Sequence, residues 1–353
     1  MSDTVYLGID LGTSRTSISS SSGVRETVWS YVGYAKDHVA KKKFGGREVI
    51  YGKEAVENRL SLDLIRPLAG GSIKARQGKD TAEMKRALKD LVEYTVSLAK
   101  VPKGHTIYAV IGAPAEASVE GKATLLEAAG GCTDSVIICS EPFSVAYGLD
   151  FLDDTLVIDI GAGTTDLCRV HGTMPNAEDQ RTHEIAGDRI DETLAQLIKK
   201  KFPEAQFSIH MVRAFKEKHS SVSKNMDRAI VTMPVAGKPQ QFDITDIAYE
   251  ACYTLVPPTV KALQDLVATY DPEFQAKMRN NVLLGGGGSQ ITGLGRAIEE
   301  ALGEYGGGKV VTVEEPQFAG ANGALKIALD MPESYWKEFA GKTADSHLVT
   351  SKT

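Results

Sequence analysis

The sequence has 353 residues, 42% of them hydrophobic and 24% charged, with a formal net charge of −6. That length exceeds one ordinary core, so two domains of roughly 150 to 200 residues are expected. The acidic balance argues against nucleic acid as a partner, because a phosphate backbone demands a dense cationic surface.

Val5 to Ile9 reads as an apolar strand that ends in Asp10 and the turn Gly12-Thr13-Ser14. The basic run Lys41 to Lys43 reads as a solvated loop. Met84, Ala87, Leu88, Leu91, Val92, Thr95 and Leu98 then recur with a helical period and mark one buried face. Ile107 to Ile111 is a predicted strand that Pro114 ends, and Glu141-Pro142 suits the first turn of a helix. Asn281 to Leu284 is strand-like, and Gly295 to Leu302 is helical. Periodicity is lost from Met331 onward, and Ala344 to Thr353 is polar and expected to be mobile. Ser334 to Lys342 brings Tyr335, Trp336 and Phe339 onto one face, a stretch too short for a membrane-tethering helix. Neither a signal-peptide pattern nor an apolar run of about 18 residues is present, so no direct membrane insertion is expected. Cys132, Cys139, Cys168 and Cys252 are scattered without a CxxC pair, which fits a reduced, cytoplasmic protein.

The chain carries one phrase twice. Leu7 to Ile18 (LGIDLGTSRTSI) reappears as Leu156 to Leu167 (LVIDIGAGTTDL), 149 residues further on. Leu7/Leu156, Ile9/Ile158, Asp10/Asp159, Gly12/Gly161 and Thr16/Thr165 are identical pairs. Each copy reads strand, Asp, tight turn, strand. A glycine lets the backbone turn sharply, so that successive N–H groups face an anion. The hydroxyls of Thr13, Ser14, Thr164 and Thr165 add donors, and Gly161 and Gly163 open the second turn. Asp10 and Asp159 end their strands at these turns. A carboxylate beside a triphosphate is repelled unless a hard cation lies between, so Mg²⁺ held through its waters is their expected ligand. One such hairpin alone is readily a plain turn; two matching copies a domain apart are not.

A third glycine cluster, Gly285, Gly286, Gly287 and Gly288 followed by Ser289, removes every Cβ from a strand-to-helix connection. A flat ligand can lie on such a backbone, and the helix beyond offers N–H donors at its positive end. By itself a glycine run is as often a plain loop.

Hairpin, hairpin and glycine turn in this order resemble the superfamily of actins, heat-shock chaperone ATPases and sugar kinases. Glu141 to Gly148 (EPFSVAYG) and Gly320 to Leu325 (GANGAL) are similar to its two connecting helices. The five motifs span nearly the whole chain. The resemblance implies an α/β, two-lobed actin-like fold of the ribonuclease H type, with duplicated βαβ cores and a nucleotide cleft between the lobes. Residues 1–148 plus 320–340 would form the first lobe, with a small inserted subdomain at about 32–71. Residues 149–319 would form the second, with an insert at about 187–241, and 341–353 a flexible polar tail.

Tyr51 to Ala55 and Ile65 to Ile73 are similar to bacterial actins of the MreB type, and Phe215 to Lys218 (FKEK) resembles the adenosine-holding helix of eukaryotic actin. That match implies base or ribose contacts for Lys216 and Glu217, with Arg213 nearby. The segments Leu7 to Ser22 and Cys139 to Asp150 are most similar to the magnetosome-associated branch of bacterial actins. The family implies ATP and ADP with Mg²⁺ as ligands. It also implies slow ATP hydrolysis, a homopolymeric filament in the cytoplasm, and magnetosome vesicles attached through an acidic linker protein.

On this reading Asp10 and Asp159, with Asp188 next to Gly187, hold the metal through water. Glu141 orients and deprotonates the attacking water, at a place where actin carries glutamine and MreB-like proteins glutamate. Asp166 stands where actin has histidine and heat-shock ATPases aspartate; it either orders the water or orients Thr164 and Thr165. An MreB-like or plasmid-segregating actin is the nearest alternative. A sugar kinase usually has a longer chain, and a heat-shock chaperone needs a peptide-binding domain after the second lobe.

Overall fold

Two five-stranded sheets with the same strand order organise the chain. The computed structural model describes residues 3–68, 81–223 and 225–339. The described residues fall into two units. One draws on Met1–Leu152, Thr173–Ala177 and Glu314–Thr353, the other on Asp153–Gly172 and Glu178–Val313.

In the first unit, β1 (Thr4–Leu11), β2 (Arg15–Ser20) and β3 (Arg25–Trp29) run as an antiparallel meander. A small antiparallel sheet follows, from β4 (Val32–Ala35), β5 (Val49–Tyr51) and β6 (Leu62–Ile65), in the order β5-β4-β6. Helices α1 (His38–Lys43) and α2 (Gly52–Glu57) close it over a local cluster of Ala40, Phe44, Ile50, Ala55 and Leu62. The Lys41–Lys43 run is therefore helical rather than a loop. Asp37 caps α1 by accepting from the Ala40 N–H at 2.8 Å, and the three lysines sit at the negative end of the helix dipole. Of the Ile65 to Ile73 stretch, residues from Ala69 onward lie outside the described residues.

Helix α3 (Thr81–Leu98) then leads to β7 (Thr106–Ala113), α4 (Val119–Ala129), β8 (Ser135–Ser140) and α5 (Glu141–Gly148). Strands β1, β7 and β8 are parallel, which completes the order β3-β2-β1-β7-β8. The predicted face of α3 is the buried one, with Val96 in place of Leu98 at its end. It packs on Leu7, Ile9, Ala109 and Ile111, the residues that alternate onto one side of the sheet.

The second unit repeats the plan with β9 (Thr155–Ile160), β10 (Thr165–Val170) and β11 (Gln180–His183) as its meander. Helices α6 (Gly187–Lys201) and α7 (Ile209–His219) follow, then the hairpin β12 (Ile230–Val235) and β13 (Lys238–Asp243). That hairpin was not predicted: the segment reads as charged and helical, yet Val231 and Met233 alternate inward and Ala236-Gly237 turns with both φ positive. Helices α8 (Thr245–Tyr253), α9 (Val256–Ala268) and α10 (Pro272–Arg279) precede β14 (Val282–Gly285), α11 (Leu294–Leu302) and β15 (Val310–Thr312). With β9, β14 and β15 parallel, the order is β11-β10-β9-β14-β15. Its core joins Ile158, Leu167, Leu194, Leu263 and Ile298 from sheet and helices.

The chain returns to the first unit with α12 (Pro316–Asp330) and α13 (Glu333–Phe339). Helix α12 covers the second side of the first sheet, where Ala324 and Ala328 meet Tyr108 and Val110. Trp336 faces inward: its ring stacks on Tyr108 at 4.9 Å and Nε1 donates to the Ala328 carbonyl at 3.3 Å. Trp336 of α13 thus belongs to the core, whereas Tyr335 is exposed. Residues 341–353, read as a polar tail, lie outside the described residues. Among the described residues no helix is long and apolar enough to cross a membrane, and the four cysteines are free thiols.

Candidate functional site

The duplicated phrase folds into the β1–β2 turn of the first unit and the β9–β10 turn of the second. In both, carbonyl groups of the turn are bonded backward to the segment that follows the third strand. At the first turn the hydroxyl of Ser30 donates to the Gly12 carbonyl at 2.6 Å, and the Ser30 N–H donates to the Ser14 carbonyl at 2.9 Å. At the second, the Gly187 N–H donates to the Gly161 carbonyl at 3.1 Å and the Asp188 N–H to the Ala162 carbonyl at 2.7 Å. A trans peptide places its C=O and the next N–H on opposite sides. These bonds therefore turn the amides of Thr13 and Arg15, and of Ala162 and Gly163, away from the anchors. The two amides of the second turn are successive, an arrangement that forms an anion-binding concavity, and the first turn offers two amides separated by one residue.

The identical threonines serve the same scaffold. Thr16 Oγ1 shares a hydrogen bond with Ser30 Oγ at 2.9 Å, and Thr165 Oγ1 donates to the Ile185 carbonyl at 2.8 Å. Both are fully buried. Thr13 and Thr164, one in each turn, are buried to within a few per cent. Asp166 pairs with Asp159 across β9 and β10, and it accepts from Thr182 Oγ1 at 2.6 Å.

Each aspartate has a glycine beside it on the neighbouring parallel strand: Gly112 is in register with Asp10, and Gly285 with Asp159. This second duplication was not read from the sequence, because Gly112 and Gly285 belong to no shared phrase. Its signal is a glycine that ends an apolar strand at the carboxyl edge of a parallel sheet, where α/β proteins build their sites. Close helical or loop backbone also presses on both carboxylates. A Cβ on Gly320 of α12 would lie 2.7 Å from Asp10 Oδ2, and one on Gly286 would lie 2.2 Å from Asp159 Oδ1.

Glu141 opens α5 directly after β8, and its side chain lies over Gly112, with Cγ 3.2 Å from where a Cβ would stand. Burial pushes the Asp10 carboxyl up to about 6. The Cys139 thiol, in register with Gly112, is pushed up to about 12 by burial and by the Glu141 and Asp10 carboxylates. Asp10 and Glu141 thus bring two hard oxygen donors to this edge, the kind that Mg²⁺ favours, although among the described residues no group of three or more His, Cys, Asp or Glu is placed to hold a metal ion.

In the second unit the glycine run forms the end of β14 and a 3-10 turn, Gly287–Gln290. The helix following it, α11, starts only at Leu294, after Gly293 in a left-handed conformation. Gly286 has φ +71°, and a Cβ on Gly288 would lie 2.2 Å from Ile160 Cγ2, so both positions exclude side chains. Gly287 has open space around its missing Cβ and is exposed, and Ser289 is buried. On α7, Arg213 donates to Asp188 Oδ1 at 2.9 Å and to Asp191 Oδ2 at 3.0 Å. Lys216 donates to the Gly187 carbonyl at 2.8 Å, and Glu217 is exposed on the same helix. Arg213, Lys216, Gly187 and Asp188 are thus brought together with the second hairpin, through an Asp191 that the sequence reading missed.

A five-stranded sheet repeated with its hairpin, and connecting helices packed as α5 against α12, define an actin-like protein. A family model described as MreB/Mbl protein matches residues 4–334, and the chain belongs to that family. The actin-like protein MamK of Paramagnetospirillum magneticum is 39% identical over 334 residues, 95% of each chain. A structure of the MamK double helical filament is 38% identical, with a TM-score of 0.89 over 93% of this chain and 100% of that one. A non-polymerising MamK mutant bound to AMPPNP is also 38% identical, with a TM-score of 0.70 over 94% of this chain and 100% of that one.

Proposed function

We propose that this chain binds ATP with Mg²⁺, assembles into a filament of its own copies, and hydrolyses the nucleotide slowly to ADP and phosphate. The observation that carries the reading is the anchored turn present twice, with its amides turned outward in both units. The likeness to MamK, whose structures are of a filament and of an AMPPNP complex, supports it.

The amides of Thr13, Arg15, Ala162 and Gly163 bind phosphate oxygens, with Ser14 and Thr164 hydroxyls as additional donors. The bare turn Gly285 to Gly288 and Ser289 receives the adenosine, with Lys216, Glu217 and Arg213 toward base and ribose. Mg²⁺ would be held through its waters by Asp10 and Asp159 and would neutralise charge on the transferring phosphoryl group. Glu141 accepts a proton on its carboxylate as a water oxygen bonds to the γ-phosphorus and the bond to the β–γ bridging oxygen breaks. Asp166, tied to Thr182, keeps the second hairpin in line for that step.

On the same likeness the filament's task is to align and position magnetosomes, along a chain of which it lies in the cytoplasm. A magnetosome linker protein such as MamJ is the proposed bridging partner. The self-assembly half is tested by sedimentation and electron microscopy of purified protein. Polymer that pellets with ATP and Mg²⁺ and is absent without nucleotide is the expected result. A chain that stays in the supernatant under every nucleotide condition contradicts it.

A further inference from the structure

Asp191 is 1% exposed, yet neither the phosphate turns nor the hydrolytic step uses it. It lies one turn into α6, on the stripe formed by Ile190, Leu194 and Ile198 that faces the core. Its carboxylate meets two cations of α7. Oδ2 accepts from Arg213 Nε at 3.0 Å, and Oδ1 stands 2.7 Å from Lys216 Nζ. The same cations reach Asp188 and the Gly187 carbonyl, at 2.9 and 2.8 Å. Those two residues anchor the second hairpin through their N–H groups. Two cations and two carboxylates balance, so the cluster leaves no net charge beneath the turn.

A buried ionic cluster adds little stability over apolar residues of the same volume, because desolvation offsets the attraction. What it does give is geometry. Arg213 is pinned through two guanidinium nitrogens, and the Lys216 ammonium, on a flexible four-carbon stem, donates to the Gly187 carbonyl and forms an ion pair with Asp191 Oδ1 at 2.7 Å. We propose that Asp191 is a positioning residue for nucleotide binding, which locks the cations of α7 to the first turn of α6 and so to the second phosphate turn. Nucleoside and phosphate are then met by one rigid piece of the second unit. This rests on the nucleotide reading above.

The test is Mg-ATP affinity by calorimetry for the full chain, Asp191→Asn, Lys216→Met and the double variant, with a melting temperature for each. Each single change is expected to weaken binding roughly tenfold, about 1.4 kcal/mol. The double variant should lose no more than either single one, because both remove the same link. Unchanged affinity in Asp191→Asn with a lowered melting temperature would assign it a purely structural role and overturn the proposal. So would losses that multiply to about a hundredfold, which would mean that Asp191 does not act through Lys216. The double variant removes one charge of each sign and leaves no orphaned ion. Should the asparagine variant fail to fold, wild-type affinity in the double variant overturns the proposal and a tenfold loss upholds it. Failure of the unaltered chain to bind Mg-ATP would instead remove the nucleotide reading itself.

Discussion

Gly323→Val is expected to unfold or badly loosen the first unit and to abolish ATP turnover. Helices α5 and α12 cross at Gly148 and Gly323 with their backbones in contact. A Cβ on Gly323 would lie 1.7 Å from the Ser144 carbonyl oxygen and 2.5 Å from its carbon. Neither atom belongs to a flexible side chain, so the helices must separate. The same α12 lies on β1 through Gly8, where a Cβ would stand 2.1 Å from the Ala321 carbonyl oxygen, so the helix cannot retreat toward the sheet. Forcing bulk into a packed interior costs about 1–3 kcal/mol, and a contact with rigid backbone belongs at the upper end. A melting temperature lower by about 5 °C or more follows for a unit of this size. Because α5 begins at Glu141, its displacement also removes that carboxylate from its place over Gly112. Leu329→Gln, on the exposed side of the same helix, serves as the control and should leave both quantities unchanged. Wild-type melting and turnover in Gly323→Val would show that the crossing is not as tight as it stands here.

Glu141→Ala should give filaments that form with ATP but release phosphate slowly. A positioned base contributes on the order of 10²- to 10⁴-fold. A fall in the phosphate release rate of roughly 10²-fold or more is therefore expected, with pelleting at saturating ATP retained. The methyl side chain keeps α5 intact, since Glu141 opens the helix and the buried residues begin at Pro142. Phosphate release at the wild-type rate would remove Glu141 from the mechanism, whatever the state of the polymer.

The parts of the molecule legible from sequence were those written in local patterns. The paired phrase around Asp10 and Asp159 shows on inspection, and its folded copies take the same sheet order. The face of α3 follows from a 3.6-residue period. What escaped depends on contacts between distant residues. Ser30 lies eighteen residues from the Gly12 carbonyl that it anchors, in a stretch with no motif of its own. Asp191 meets partners 22 and 25 residues further on. A signal was present there, because an aspartate fell on the apolar stripe of an otherwise amphipathic helix. Such a residue is expected to be paired when buried. The Lys41–Lys43 run was misread because charge alone was weighed and the Asp37 cap was not. The β12–β13 hairpin was hidden by the charges around it, though its alternation and turn had the period of strands.

Under the proposed function, each anchored hairpin holds phosphate for one nucleotide per chain. Isothermal calorimetry of the full chain with ATP, in the presence and absence of Mg²⁺, measures this directly. Saturable binding of a single nucleotide per chain, weakened when the metal is removed, is the predicted result. Titration with no heat of binding at any metal concentration, and no displacement of a fluorescent ATP analogue, would contradict it.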